Sequence, residues 1–237
     1  MAIARWRRRL RDRGAKAAGR PAARTGLGIW LMLSLLSGIA CSSSLPTLDE
    51  IRSLQAAGRY QESIEPLRQL IDEEPGDPER LHLYGKALSS IGRYGLALWS
   101  LDAAMEHPDH LLPAGKLFVN ALILSEAWEA AEEACEEILE VVGEDADILT
   151  LRARARQGSR RDYEGALADA DRVLELEPDN KAVLIPRTVA LLALQRVEEA
   201  GEALRELDAL YRDESLGIEG SPKFCTAGAI FAFEKGE

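Results

Sequence analysis

Side chains able to do chemistry are few in this sequence, and their spacing suits few reactions. His107-Pro108-Asp109-His110, preceded by Glu106, is the best set of metal-ligating donors. Two histidines three residues apart face one ion only on a continuous helix, and Pro108 breaks the helix that would carry them. A turn between two helices accounts for the segment more simply. A metal-dependent hydrolase using His107 and His110 is the enzymatic alternative that this pair leaves. There is no Gly-x-Ser-x-Gly nucleophile elbow, and Gly85-Lys86 and Gly115-Lys116 lack the upstream glycine of a phosphate loop. Cys135 and Cys225 fall at packing positions and read as buried thiols. The expectation is a non-enzymatic protein with no metal site and no cofactor.

The chemistry that remains is charge. The chain of 237 residues has a net charge of -11, unevenly spread. Residues 1–26 hold nine basic groups and one acid, Asp12, whereas the remainder has 20 basic against 39 acidic groups. A body this acidic repels phosphates, so no nucleic acid is expected as a partner.

The elements that must position these charges repeat at a fixed period. An aromatic or apolar opener recurs at Tyr60, Tyr94, Trp128, Tyr163 and Val197, at intervals of 34, 34, 35 and 34. A small residue follows in step at Ser63, Ala97, Ala131, Ala166 and Ala200. After Tyr163, apolar residues continue at helical spacing (Leu167, Ala170, Val173, Leu174) until Pro178. A period near 34 carrying two helices per unit is the mark of a repeat array. One clear copy reads Leu81-x2-Tyr84-Gly85-x2-Leu88, then Gly92-Arg93-Tyr94, Ala97-x3-Leu101 and Ala104.

These residues resemble the tetratricopeptide repeat over about 44–214. The resemblance implies an all-α, right-handed α-solenoid of about five helix-turn-helix units (44–77, 78–111, 112–145, 146–180 and 181–214) plus a C-terminal helix. Gly85 and Ala97 would let the helices of a unit cross closely, and Gly58 and Gly92 would end first helices in a left-handed cap. Pro66 should cost its helix a hydrogen bond or bend it, and Pro186 should perturb the first turn of repeat five. The Gln157–Arg161 turn carries the extra residue of repeat four.

In this family the first helices line a concave groove and the second helices face outward. Acidic runs such as Glu132-Glu133-Ala134-Cys135-Glu136-Glu137 then fall on a solvated convex back. On the groove side the sign reverses. One position reads Arg52, Lys86, Asn120, Arg154, and the position four residues earlier reads Leu48, His82, Lys116, Thr150. In repeat five the face turns apolar, with Ile185, Val189 and Leu192. Lys116 and Asn120 resemble half of the family's carboxylate clamp, but Leu151, Ala182 and Pro186 cannot complete it. The expected groove contacts are therefore Arg52, His82, Lys86, Lys116, Asn120, Arg154, Ile185 and Val189, holding an extended peptide or a helix of another protein.

Both ends carry further signals. A basic stretch to Arg24 precedes an apolar run from Leu27 to Ala40, which is too short for the ~20 residues of a membrane-spanning helix. Gly38-Ile39-Ala40-Cys41 resembles the lipobox of bacterial lipoproteins. That implies a signal peptide over 1–40, lipidation of Cys41 and a short tether over 41–46. Ser42 after the cysteine implies the outer membrane, with the body facing the periplasm. At ~3.5 Å per residue, the tether reaches at most ~18 Å. Residues 215–237 read as a capping helix or half repeat. Phe224, Ile230, Phe231 and Phe233 leave it apolar nearly all round, which suits a homodimer or a partner that supplies a second helix. By resemblance, the whole is an assembly factor for an envelope, pilus or secretion complex, or an adaptor for murein enzymes.

Overall fold

The computed structural model describes residues 46–212, which form helices and turns with no strand among them. Ten α-helices follow in pairs: α1 (Leu48–Ala56) and α2 (Tyr60–Glu73), α3 (Pro78–Ser90) and α4 (Tyr94–Met105), α5 (Pro108–Leu124) and α6 (Trp128–Val142), α7 (Ala146–Ser159) and α8 (Tyr163–Leu176), α9 (Leu184–Ala193) and α10 (Val197–Arg212). The periodic openers Tyr60, Tyr94, Trp128, Tyr163 and Val197 are each the first residue of a second helix. Each helix packs on its neighbour in sequence, and each first helix also packs on the first helix of the next pair. That pattern is an all-α solenoid with its first helices stacked side by side.

Local chemistry sets the ends of the helices. Thr47 begins α1 with a reciprocal capping box to Glu50, and the carboxylates of Asp77 and Asp145 accept from backbone N–H groups at the starts of α3 and α7. Pro78 and Pro108 stand in first turns, where no donor is needed. Pro66 lies inside α2, which continues through it to Glu73. Pro186 falls in the first turn of α9, preceded by a 3-10 turn at Lys181–Val183.

Four of the five within-repeat turns share one hydrogen-bond pattern. Arg59, Arg93, Ala127 and Arg196 N–H groups donate to the carbonyls of Leu54, Leu88, Leu122 and Leu191 at 2.8–3.0 Å. This closure requires a left-handed residue just before the donor. Gly58 and Gly92 supply it with φ of 74° and 77°, but Glu126 and Gln195 must adopt φ of 58° with a side chain attached. Glu126→Gly and Gln195→Gly are therefore expected to stabilise the protein by about 0.5–1 kcal/mol each. A higher urea midpoint at unchanged slope would bear this out; a lower midpoint would contradict it. The fifth turn carries the additional residue. There Arg160 is left-handed, and the Asp162 carboxylate caps α8 by accepting from Gly165 N–H at 2.8 Å.

The core sits between the two helices of each unit and between adjacent units. Leu81, Leu88, Leu98, Leu101 and Ala97 are buried in one continuous cluster with Phe118, Leu122, Cys135 and Ile138. Gly85 shows why a small residue is needed: a Cβ there would lie 2.5 Å from Leu101 Cγ. This tight crossing fixes the angle of α3 and hence the direction in which His82 and Lys86 project.

Candidate partner-binding groove

The groove row belongs to the stacked first helices. Arg52 is on α1, Lys86 on α3, Asn120 on α5 and Arg154 on α7, one repeat apart in each case. The cations of the two rows, Lys116 of the second included, differ in their surroundings. The exposed Arg52 guanidinium pairs with Asp49 on its own helix and with Glu79 on α3. Lys116 Nζ lies 2.6 Å from Asp147 Oδ2 and 3.4 Å from Asp145 Oδ2 at the start of α7. Lys86 is half-buried, and no carboxylate among the described residues pairs with it. Arg154 is half-buried too, and its hydrogen-bond acceptor is the amide oxygen of Asn120, 3.3 Å from Nη1.

The cause is one repeat position, which falls in the first turn of α3, inside α5, in the first turn of α7 and in the 3-10 turn before α9. It holds Glu79, Pro113, Asp147 and Lys181 in successive repeats. An acid there neutralises the cations of repeats one and three. Pro113 and Lys181 leave those of repeats two and four alone. Electrostatics follow the same division. Hydrogen bonding to Glu79 raises the proton affinity of Arg52, whereas burial lowers that of Arg154.

The second row departs from the sequence expectation. Leu48 packs with Ile51, Leu67 and Leu83 instead of lining the groove. Thr150 is buried, and its hydroxyl donates to the Ala146 carbonyl at 2.8 Å. His82 and Lys116 are thus its only polar members facing the groove side among the described residues. On α9, Ile185 and Val189 are half-buried, but Leu192 belongs to the core with Ala166 and Leu167.

The histidines also pair differently from the expectation. His107 immediately precedes α5 without a capping hydrogen bond from its side chain, and His110 lies in the first turn; instead of pairing with His107, the His110 ring lies 5.9 Å from that of His82, across two helices. His82 Nδ1 is buried without a hydrogen-bond partner. Burial first, then the nearby His110 and Lys86, push its proton affinity below the ordinary histidine value. Among the described residues no three His, Cys, Asp or Glu side chains are placed to hold one metal ion. The Cys135 thiol is fully buried, and burial pushes its pKa up to about 12.

The acidic back is not simply solvated. Glu132 turns toward the next repeat, where its Oε1 accepts from Arg156 Nε at 2.7 Å. Arg156 also reaches Asp169 Oδ2 at 2.9 Å and Asp162 Oδ2 at 3.3 Å. Arg152 grips Asp169 with two hydrogen bonds of 2.6 and 2.9 Å. This network ties α6, α7 and α8 together on the side away from Arg154. Its signal in the sequence was the i,i+4 pair Arg152 and Arg156, two positions out of step with the groove rows at Thr150 and Arg154. Cys41, Cys225, Phe224, Ile230, Phe231 and Phe233 lie outside the described residues.

Comparison with known proteins agrees with this architecture. The family model described as "Tetratricopeptide repeat" matches residues 159–217. MamA from Desulfovibrio magneticus RS-1 is similar in structure, with a TM-score of 0.62 and 20% sequence identity, covering 70% of this chain and 94% of that one. A tetratricopeptide repeat protein from Parabacteroides merdae ATCC 43184 gives a TM-score of 0.63 at 16% identity, covering 78% and 72% of the two chains. No curated protein matches the sequence. The fold is that of a tetratricopeptide-repeat solenoid.

Proposed function

We propose that this tetratricopeptide-repeat chain is a non-enzymatic scaffold that holds an extended peptide or a helix of a partner protein along its first helices. The observation that carries the proposal is the stack of α1, α3, α5 and α7, which presents a row of polar side chains that the hydrophobic core does not use. Solenoids of this kind gain their binding surface from such stacking, since each repeat adds one more helix to it. The scaffold is anchored by lipid on Cys41 to a bacterial outer membrane, on its periplasmic side, where it aids assembly of an envelope, pilus or secretion complex. The apolar run ending in Ile39-Ala40-Cys41 supports the anchor. No helix among the described residues is long and apolar enough to cross a membrane.

A photo-crosslinking residue placed at Ser90 or Leu124 tests the groove. Both are exposed and lie one turn along from Lys86 and Asn120 on the same helix faces. The comparison position is Leu96, 60% exposed on the second helix α4. Capture of a membrane-derived protein from Ser90 and Leu124, but not from Leu96, is the expected result. Capture from Leu96 alone would move the binding face to the convex side. Cys41→Ser should abolish acyl labelling and release the protein from membranes; unchanged labelling would remove the anchor.

A further inference from the structure

The fold neutralises two of its groove cations and leaves two unsatisfied. Arg52 and Lys116 are held by Glu79 and Asp147, acids supplied by the next repeat. For Lys86 and Arg154 the corresponding position of the next repeat holds Pro113 and Lys181, neither of them an acid. A guanidinium partly out of water, with one neutral acceptor at 3.3 Å, is a desolvation cost with little electrostatic return. Between the two cations stands Asn120. Its amide oxygen is occupied by Arg154, which leaves Nδ2 as a donor. Three groups that each offer a donor therefore lie along α3, α5 and α7.

Resting on the groove reading above, we propose that Lys86, Asn120 and Arg154 recognise carboxylates on an Asp- or Glu-rich segment of a partner protein, and that the half-buried His82 ring makes this binding stronger as pH falls. The site is distinct from the Lys116 and Asn120 pair, since Lys116 is already closed by its own acids. Lys86 and Arg154 come from helices two repeats apart, on the order of 16–20 Å between axes at about 8–10 Å per step. Arg154 leans over α5, yet one terminal carboxylate still does not span the row. Two acidic side chains spaced along a segment do.

The histidines lie at one end of this row. The groups that bear on the His82 ring are His110 from α5, Lys86 and Glu79 from its own helix. Glu79 is committed to Arg52. In the free protein, burial first and then the nearby His110 and Lys86 hold the proton affinity of His82 below the ordinary histidine value. A carboxylate bound beside Lys86 offsets that repulsion and favours the imidazolium. Binding then takes up a proton, so affinity rises as pH falls from about 7 toward about 5, while the ligand carboxylates, with pKa values near ~4, stay ionised.

The test is fluorescence anisotropy with the intact chain in detergent. The probe is a short peptide of alternating Glu and Ala, acetylated and amidated at its ends. One control has Gln for every Glu, and another is neutral with a free C-terminal carboxylate. The Glu peptide alone should bind, with an affinity lowered by about tenfold or more in Lys86→Gln/Arg154→Gln and changed by less than about twofold in Arg52→Gln/Lys116→Gln. Arg154→Gln should melt no lower than the unaltered protein, because it removes an uncompensated charge; a structural arginine would give a lower melting temperature. Binding should tighten between about pH 7.5 and about pH 5.5, and this dependence should vanish in His82→Gln. Equal losses in the two charge variants, preference for the free C-terminus, or unchanged pH dependence without His82 would overturn the respective part. If the Glu peptide fails to bind while Ser90 and Leu124 still capture a partner, the acidic specificity is wrong and the groove reading stands.

Discussion

Asp169→Ala is expected to cost about 3–5 kcal/mol of stability, the scale for breaking a buried ion pair by removing one partner. Asp169 is 5% exposed and accepts hydrogen bonds from two guanidinium groups, those of Arg152 and Arg156. Without it, Arg152 keeps only the charge of the nearby Glu136 among the described residues, and Arg156 keeps Glu132, Asp162 and a distant Glu136. The damage should spread beyond one helix, because the network joins α6 of repeat three to α7 and α8 of repeat four. In a solenoid, stability resides in such junctions between neighbours as much as in the units. Asp169→Asn keeps the shape and one acceptor and should lose less. The paired change Arg152→Met/Asp169→Leu should recover part of the loss, since well-packed apolar groups often replace a buried pair at little cost. Urea denaturation measures all three. An Asp169→Ala loss below about 1 kcal/mol would mean that the network is solvated and contributes like a surface ion pair.

Phe118→Ala should be comparably severe, at about 3–5 kcal/mol, for a different reason. Phe118 is 1% exposed and is the largest fully buried side chain among the described residues. It sits in the middle of α5, in the cluster that runs from Ile71 to Ala155 and so links repeats one to four. Truncation leaves a cavity that rigid helices on either side cannot close. Phe118→Leu preserves most of the volume and should cost less than about 1.5 kcal/mol. If alanine and leucine are equally harmful, shape at this position matters more than cavity volume. If both are mild, the repeats relax more readily than their packing implies.

The helices, their pairing and the turn chemistry were legible because they depend on residues within one repeat. Tyr94 predicts the start of a helix, and Gly92 a left-handed turn before it, from local sequence alone. Glu126 and Gln195 occupy the same conformation without a sequence mark, since the shared turn overrides the preference of the residue. The candidate groove was legible only in part. Periodicity placed Arg52, Lys86, Asn120 and Arg154 in one row, but whether each cation is free depends on a residue 27 or 31 positions further on in the next repeat. The pairing of His82 with His110 likewise spans two helices, so spacing pointed to His107 instead. Glu132 looked like part of an acidic back because its sequence neighbours are acids, whereas its contact, Arg156, is 24 residues away. Interactions between repeats are what a reading by period misses.

The claim that partners bind on the stacked first helices is tested most directly by hydrogen–deuterium exchange of the intact chain, alone and with its crosslink-captured partner. Slower exchange confined to α3, α5 and α7, centred on Lys86, Asn120 and Arg154, is the predicted result. Slower exchange on α4 and α6, with the first helices unchanged, would contradict it.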